Sequence, residues 1–420
     1  MKKEKIRRSP KQRFMIFLRI LLIFILLIAI VCAVGAIASM ASVKSNSDFI
    51  SAIKKVEYEN QLVPEKDDKG YTTFVTDDDF KIMQLTDVHI GGGWMSKSKD
   101  TKAINAVAAM VTAEKPDLVI ATGDIAYPVP FQAGTFNNKS GAKLFAQLME
   151  QLGVYWCVSF GNHDTEAYSY FNRSKISDFY ENEELKYCLF ETGDENIDGY
   201  GNYVINVKNT QGKITQSLFV FDTGAYVDDD YLGIMWKYDT IHENQIQWYE
   251  NTLNEFKDMN NGEMPKSLAF FHIPVQQYRD GFYEYVDNGL KDTENVKFLS
   301  GKAGESGSVV YTSVYDHGFF DKAKELGSTT AMFCGHDHYN NFSLNYKGID
   351  LNYGYSIDYL AYIGISGEGS QRGCSLITVK PDGTHENRLE NYYQDKYVPV
   401  NPKEEVTMQP LDTVTYEVAE

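Results

Sequence analysis

Beyond residue 80 the chain alternates short apolar runs with longer amphipathic stretches. The runs are Lys81–Leu85, Leu118–Ala121, Tyr155–Phe160, Leu218–Phe221, Leu268–Phe271, Thr330–Cys334, Leu360–Ile365 and Ser375–Val379, each of a length that predicts a buried strand. Apolar residues spaced by three and four predict helices over Lys102–Glu114, Lys143–Leu152, Glu243–Phe256 and Phe319–Leu326. Acids lead the third of these, as suits a helix N-terminus. Strands alternating with helices predict an α/β layered fold. The stretch Tyr168–Gly201 breaks the rhythm with acids, aromatics and little periodicity, and reads as an insertion near a site.

The N-terminal region follows a different rule. From Ile20 to Val43 there are 24 residues without a charge, which as a helix reach about 36 Å, enough for a hydrocarbon core of about 30 Å. Residues 1–19 hold eight basic side chains against Glu4 alone. By the positive-inside rule, 1–19 is expected to be a cytoplasmic basic segment, 20–43 a single transmembrane anchor, and the remainder extracytoplasmic. Ser39-Met40-Ala41 offers a competing signal-peptidase site, but an h-region usually spans only about 7–15 residues, so a retained signal anchor is expected. Bulky Ile30-Val31 argue against a lipid-modified Cys32. Residues 44–79 read as a polar linker, 80–390 as the folded domain, and 391–420, with Pro399, Pro402 and Pro410 among acids, as a loose surface tail.

Charge excludes one class of function. Net charge is −18, and beyond residue 19 there are 32 basic against 57 acidic residues, a balance of −25. No broad basic surface remains to displace phosphate counterions, so nucleic-acid binding is not expected. Cys157, Cys188, Cys334 and Cys374 lack metal-type spacing; one disulfide is open to an exported domain, without an assignable pairing.

The chemistry lies at the ends of the apolar runs. Lys81–Leu85 leads into Thr86-Asp87-Val88-His89, Leu118–Ala121 into Thr122-Gly123-Asp124, and Tyr155–Phe160 into Gly161-Asn162-His163-Asp164. Leu268–Phe271 ends at His272-Ile273-Pro274, and Thr330–Cys334 at Gly335-His336-Asp337-His338. Ligands of α/β sheets gather beyond the carboxyl ends of strands, so five such ends can converge on one cleft. Imidazole and carboxylate together suit Zn, Mn or Fe. Five histidines and several Asp/Asn groups exceed one four-coordinate ion, whereas two ions about 3.5–4 Å apart would use them. Such a pair clamps a phosphoryl group, activates a bridging water and makes an anion site locally positive within an acidic protein. His242, His317 and His385 lie outside this pattern and read as surface or capping residues. Asp222 reads as a support or a turn cap, and Arg173 as a surface ion pair.

These blocks, spread over Phe80 to Val379, resemble the calcineurin-like metallophosphoesterases. The resemblance implies a four-layer α/β architecture, a β-sandwich flanked by helices with metals at strand ends. It implies that Asp87, His89, Asp124 and His338 hold one ion and that Asp124, Asn162, His272 and His336 hold a second, with Asp124 bridging. The two ions would be divalent or mixed-valence Mn, Fe or Zn. His163, not a ligand in this pattern, would protonate the leaving alkoxide, tuned by Asp164. Phe270-Phe271-His272-Ile273-Pro274 and Cys334-Gly335-His336-Asp337-His338 are similar to the branch holding purple-acid-phosphatase-like proteins and yeast cell-cycle regulator phosphatases. Gly123-Asp124-Ile125-Ala126-Tyr127 matches the purple enzymes' tyrosinate motif, but those enzymes lack a histidine where this chain has His89, so a packing role is expected for Tyr127.

The expected activity is hydrolysis of a small phosphate ester by a bridging hydroxide with His163 as general acid. A lipid- or envelope-linked substrate is compatible with the anchor. Diester, nucleotide or pyrophosphate-linked lipid hydrolysis and a non-catalytic metal-binding scaffold are the alternatives.

Overall fold

The computed structural model describes residues 9–362, 365 and 371–406. Two sheets face each other. The smaller contains β3 (Phe80–Leu85), β4 (Leu118–Thr122), β5 (Trp156–Ser159), β13 (Gly373–Val379) and β14 (His385–Asn391), in the order β14-β13-β3-β4-β5. The larger contains β1 (Glu65–Lys66), β2 (Thr72–Val75), β6 (Tyr203–Lys208), β7 (Ile214–Val220), β8 (Lys266–Phe270), β9 (Val296–Ser300), β10 (Thr329–Cys334), β11 (Ser343–Tyr346) and β12 (Ile349–Tyr353). Its order is β1-β2-β6-β7-β8-β10-β12-β11-β9. Strands β3, β4 and β5 run parallel, as do β7, β8, β10 and β12, so each sheet points a row of carboxyl ends the same way.

Alternation along the central strands builds two cores. Leu218, Val220, Leu268, Phe270, Ala331 and Phe333 join the core shared with the smaller sheet. Their neighbours Phe219, Phe221, Ala269, Phe271, Met332 and Cys334 point the other way into a second core. Helices α6 (Glu243–Met259), α7 (Gln276–Asp287) and α8 (Phe319–Leu326) cover that second face. Buried Ile246, Tyr249, Leu253 and Phe256 form the apolar stripe of α6. On the smaller sheet the cover is α2 (Lys97–Glu114) and α4 (Asn138–Leu152), which the left-handed Gly153 terminates. The result is the expected four-layer α/β sandwich. Short helices α3 (Pro130–Ala133) and α5 (Arg173–Tyr180) lie in the connections around the carboxyl ends.

Helix α1 (Pro10–Ser51) starts at a capping box in which Ser9 and Gln12 satisfy each other's backbone N–H. It is long and apolar enough to cross a membrane, and its most apolar stretch is uncovered by the other described residues. The helix does not stop at residue 43. Ser42, Asn46 and Ile50, spaced by four, are buried against the domain; Ser42 Oγ donates to the Gly93 carbonyl at 2.8 Å and Asn46 Oδ1 accepts from Thr101 Oγ1 at 2.7 Å.

The expected linker 44–79 is therefore tied to the domain in part: its start continues α1, and β2 pairs in parallel with β6, burying Phe74. The tail differs as well. Tyr392 and Tyr397 are buried, and Glu404 pairs with Arg372 at 2.7 Å. Residues 1–8 and 407–420, the outer parts of the basic segment and tail, lie outside the described residues.

Candidate metal centre

Four loops at strand ends and one tight turn deliver the ligand-type side chains. Asp87 and His89 follow β3, Asp124 follows β4, Asn162 follows β5, His272 follows β8, and His336 and His338 follow β10. All seven are buried. Turning so sharply requires unusual backbone: Asp87, His89, Asp124 and His336 have φ of 50°, 51°, 54° and 80°. Left-handed conformations at non-glycine residues are costly and persist where the surroundings impose them. Neighbouring glycines make room. A Cβ at Gly161 would lie 2.2 Å from Asp124 Oδ1, and one at Gly335 1.8 Å from Thr86 Oγ1.

The ligating atoms of Asp87, His89, Asp124 and His338 all lie within 4.8 Å of one another. Asp124 Oδ2 stands 3.3 Å from His89 Nε2 and 3.2 Å from His272 Nε2. On the His272 side, His336 Nδ1 is 3.1 Å from Asn162 Oδ1, whose amide nitrogen donates to the Tyr226 hydroxyl.

The imidazoles share a pattern that fits cations. His272 Nδ1 faces the Thr122 carbonyl at 2.8 Å and must donate there, leaving the Nε2 lone pair toward the Asp124 carboxylate with no hydrogen-bond partner. His338 Nδ1 likewise meets Asp358 Oδ2 at 3.1 Å, with Nε2 directed at Asp87 Oδ1 at 3.5 Å. His89 Nδ1 lies 3.3 Å from Asp358 Oδ1, off the line of a hydrogen bond. A buried lone pair facing a carboxylate repels it unless a proton or a metal cation lies between. Outer nitrogens held by carbonyl or carboxylate are how proteins aim metal-binding histidines. Burial works to neutralise His89, but Asp358 and Asp124 push its pKa up to about 10. For His272, burial is outweighed by Asp124, which raises it to about 9. Burial and nearby His272 instead drive His336 well below its ordinary value.

His163 stands apart. It opens a 3₁₀ turn, its ring is partly exposed, and it packs on Tyr127 and His89 with centroids 4.9 and 5.5 Å apart. Its backbone N–H donates to Asp124 Oδ1 at 2.8 Å. The partner of its Nδ1 is Glu166 Oε1 at 2.7 Å. This corrects the expected tuning by Asp164, whose buried carboxylate is consumed by the backbone N–H groups of Asp124, Ala126 and Gly161 at 2.8–2.9 Å. Asp164 shapes the loops; Glu166 holds the imidazole. Burial opposes protonation of His163, but Asp124 and Glu166 raise its pKa.

Tyr127 packs, as expected: its hydroxyl donates to Gln132 Oε1 at 2.9 Å while its ring lies 4.6 Å from that of His89. Arg173 is no surface residue. It stacks on Phe160, bonds the Gly161 carbonyl at 2.7 Å and pairs with Asp222, bracing the Asn162–His163 turn. Sequence reasoning missed Asp358, Glu166 and the aromatic walls. Tyr238 and Tyr362 place rings 4.1 and 4.3 Å from those of His336 and His338.

The calcineurin-like phosphoesterase model matches residues 80–340. "Probable inactive purple acid phosphatase 28" of Arabidopsis thaliana is 27% identical over 318 residues, covering 69% of this chain and 73% of its own. Phosphatase DCR2 of Saccharomyces cerevisiae is 28% identical over 283 residues, 63% of this chain and 45% of its own. A dimetal phosphatase from Danio rerio superposes with a TM-score of 0.48 at 12% identity, over 76% of this chain and 98% of that one. The chain belongs to the calcineurin-like phosphoesterase family.

Proposed function

We propose that the chain is a membrane-anchored, extracytoplasmic phosphoesterase working with two divalent or mixed-valence ions of Mn, Fe or Zn. The carrying observation is Asp124 Oδ2, which faces His89 and His272 at 3.3 and 3.2 Å and so joins two sets of ligands. Asp87, His89, Asp124 and His338 would hold one ion, and Asp124, Asn162, His272 and His336 the other. Bound ions supply charge for the phosphoryl oxygens and a hydroxide at neutral pH.

The chain's own groups do the remaining work. Glu166 fixes His163 Nδ1, so the ring's Nε2 is the atom that offers its proton to the departing alkoxide. Tyr226 orients Asn162 and also donates to Glu166 at 3.2 Å, linking the ligand side to the acid side. Support for the anchor comes from the uncovered apolar stretch of α1 behind a basic N-terminus. The Arabidopsis relative is named inactive, but all seven ligand positions and His163 stand together in this chain, which favours catalysis over a scaffold.

Replacing His163 with Ala is expected to leave metal content unchanged and slow turnover by about 10²–10⁴-fold, most on esters with poor leaving groups. Metal analysis beside rates on an alkyl and a nitrophenyl phosphate checks this. Full activity on the alkyl ester would overturn the assignment of the acid.

A further inference from the structure

Exposed apolar side chains stand on the loops around the cleft, beginning beside α1. Trp94, five residues past His89, lays its indole beside the helix: a Cβ on Gly35 would sit 3.8 Å from Trp94 Nε1. One turn later, Ser39 Oγ donates to the Gly134 carbonyl at 3.4 Å and accepts from the Trp94 N–H at 3.3 Å. Trp94 and the loop closing α3 therefore lie level with residues 35–39, inside the uncharged run. About twenty residues fill a hydrocarbon core, so a span entered at Arg19 runs out near Ser39. That puts Trp94 at the headgroup level, where indoles concentrate.

Other apolar tips continue from there. Phe131, on α3, is 88% exposed. Phe136 stacks on exposed Tyr170 at 6.0 Å, and the loop carrying Tyr170 shares a surface cavity with Tyr226 and Tyr231. Tyr231 begins a loop in which Ile234 and Trp236 are 74% and 64% exposed. Its base is the Tyr226–Tyr238 bridge, the pair whose side chains meet Asn162 and His336. On the α3 side, Gln132 receives the Tyr127 hydroxyl, and the Tyr127 ring packs on His89 and His163. The segments that wall the site thus carry the exposed tips.

We propose that this rim rests on the bilayer that α1 crosses, and that the substrate is a phosphate ester of a membrane lipid, cleaved while its tails stay in the membrane. The substrate half rests on the phosphoesterase reading above. In the reaction water adds oxygen to phosphorus, the phosphorus–oxygen bond to the lipid breaks, and the lipid alkoxide takes the proton from His163. The water's two protons go one to the released phosphate and one back to His163.

The test uses the full chain in phosphatidylcholine nanodiscs carrying phosphatidic acid, with p-nitrophenyl phosphate as the soluble ester. Phe131→Ser combined with Ile234→Ser, neither of which touches a ligand or His163, is expected to lower phosphate release from phosphatidic acid about tenfold or more. Hydrolysis of p-nitrophenyl phosphate should stay within about twofold. Equal losses on both esters, no loss on the lipid, or cleavage of the soluble ester alone would overturn the proposal. If the wild type cleaves neither, the phosphoesterase reading fails and takes the substrate half with it.

Docking is read separately. Emission from Trp94 and from Trp236, each read as the difference between the wild type and Trp94→Phe or Trp236→Phe because Trp156 and Trp248 also emit, is expected to be quenched by brominated lipid. Absence of quenching at both, including the case of a dimer by light scattering that covers the rim with a second copy, overturns the docking.

Discussion

Asp358 illustrates what a single residue contributes at this centre. Its carboxylate lies against Nδ1 of both His89 and His338, and accepts from the backbone N–H groups of Leu360, Ala361 and Tyr362 at 2.6–2.8 Å. Burial opposes its charge, but the two histidines hold its pKa well below the ordinary range. Asp358→Asn is expected to weaken metal affinity by about 10–100-fold, the usual effect of losing a carboxylate behind a histidine ligand. Competition against a chelator of known affinity measures this, and unchanged affinity would remove Asp358 from the account. The sequence offered little to find it by. The ligands advertise themselves by following apolar runs directly, whereas Asp358 comes five residues after β12 ends at Tyr353. Glu166 was hidden for a related reason: Asp164, adjacent to His163, was the nearer acid, but the 3₁₀ turn carries Glu166 round to the imidazole instead.

At the level of elements, the legible parts were those on which burial imposes a regular pattern. Strands β3, β4, β5, β8 and β10 sit close to their expected positions because both their faces are buried, and helices α2, α4, α6 and α8 because each sets apolar residues three and four apart against a sheet. Helix α7 was not foreseen: buried Tyr278 and Phe282 are spaced by four, but tyrosines crowd both its faces and disguise the stripe. The run Leu360–Ile365 is no strand within its described residues. It bends around Asp358, buries Leu360 and lays the Tyr362 ring on His338. Nor was the lower part of α1 legible, since Ser42 and Asn46 look polar until Gly93 is seen to accept from the first and Thr101 to donate to the second.

The entry to α6 makes a pH-dependent prediction. His242, partly exposed, bonds Asp239 at 2.9 Å and Asp198 at 2.8 Å. The bond to Asp239, against some burial, lifts its pKa from 6.5 to about 9. A raised pKa means the folded state binds the proton more tightly, so the stabilisation is full below about pH 6.5 and fades as pH rises through about 9. The melting-temperature gap between wild type and His242→Ala is therefore expected to narrow over that window. A gap that widened with pH would contradict the pairing.

Across the whole molecule, the proposed phosphate chemistry is compatible with an acidic body because the acids of the site stand where cations would neutralise them. The described part of the chain gathers Asp87, His89, Asp124 and His338 into one buried group, with Asn162, His272 and His336 on the other side of Asp124. Two sheets supply opposite halves: β3, β4 and β5 deliver Asp87, His89, Asp124 and Asn162, while β8 and β10 deliver His272, His336 and His338. The centre therefore exists only when the sandwich is closed, and its ligands should tie the sheets together when metal is bound.

The most direct test measures metal content and p-nitrophenyl phosphate hydrolysis on the purified full chain after reconstitution with Mn, Fe or Zn, for wild type and Asp124→Asn. About two ions per wild-type chain are expected, with Asp124→Asn losing both metal and activity. A wild type that holds no metal, or an Asp124→Asn variant that keeps its ions and its rate, would contradict it.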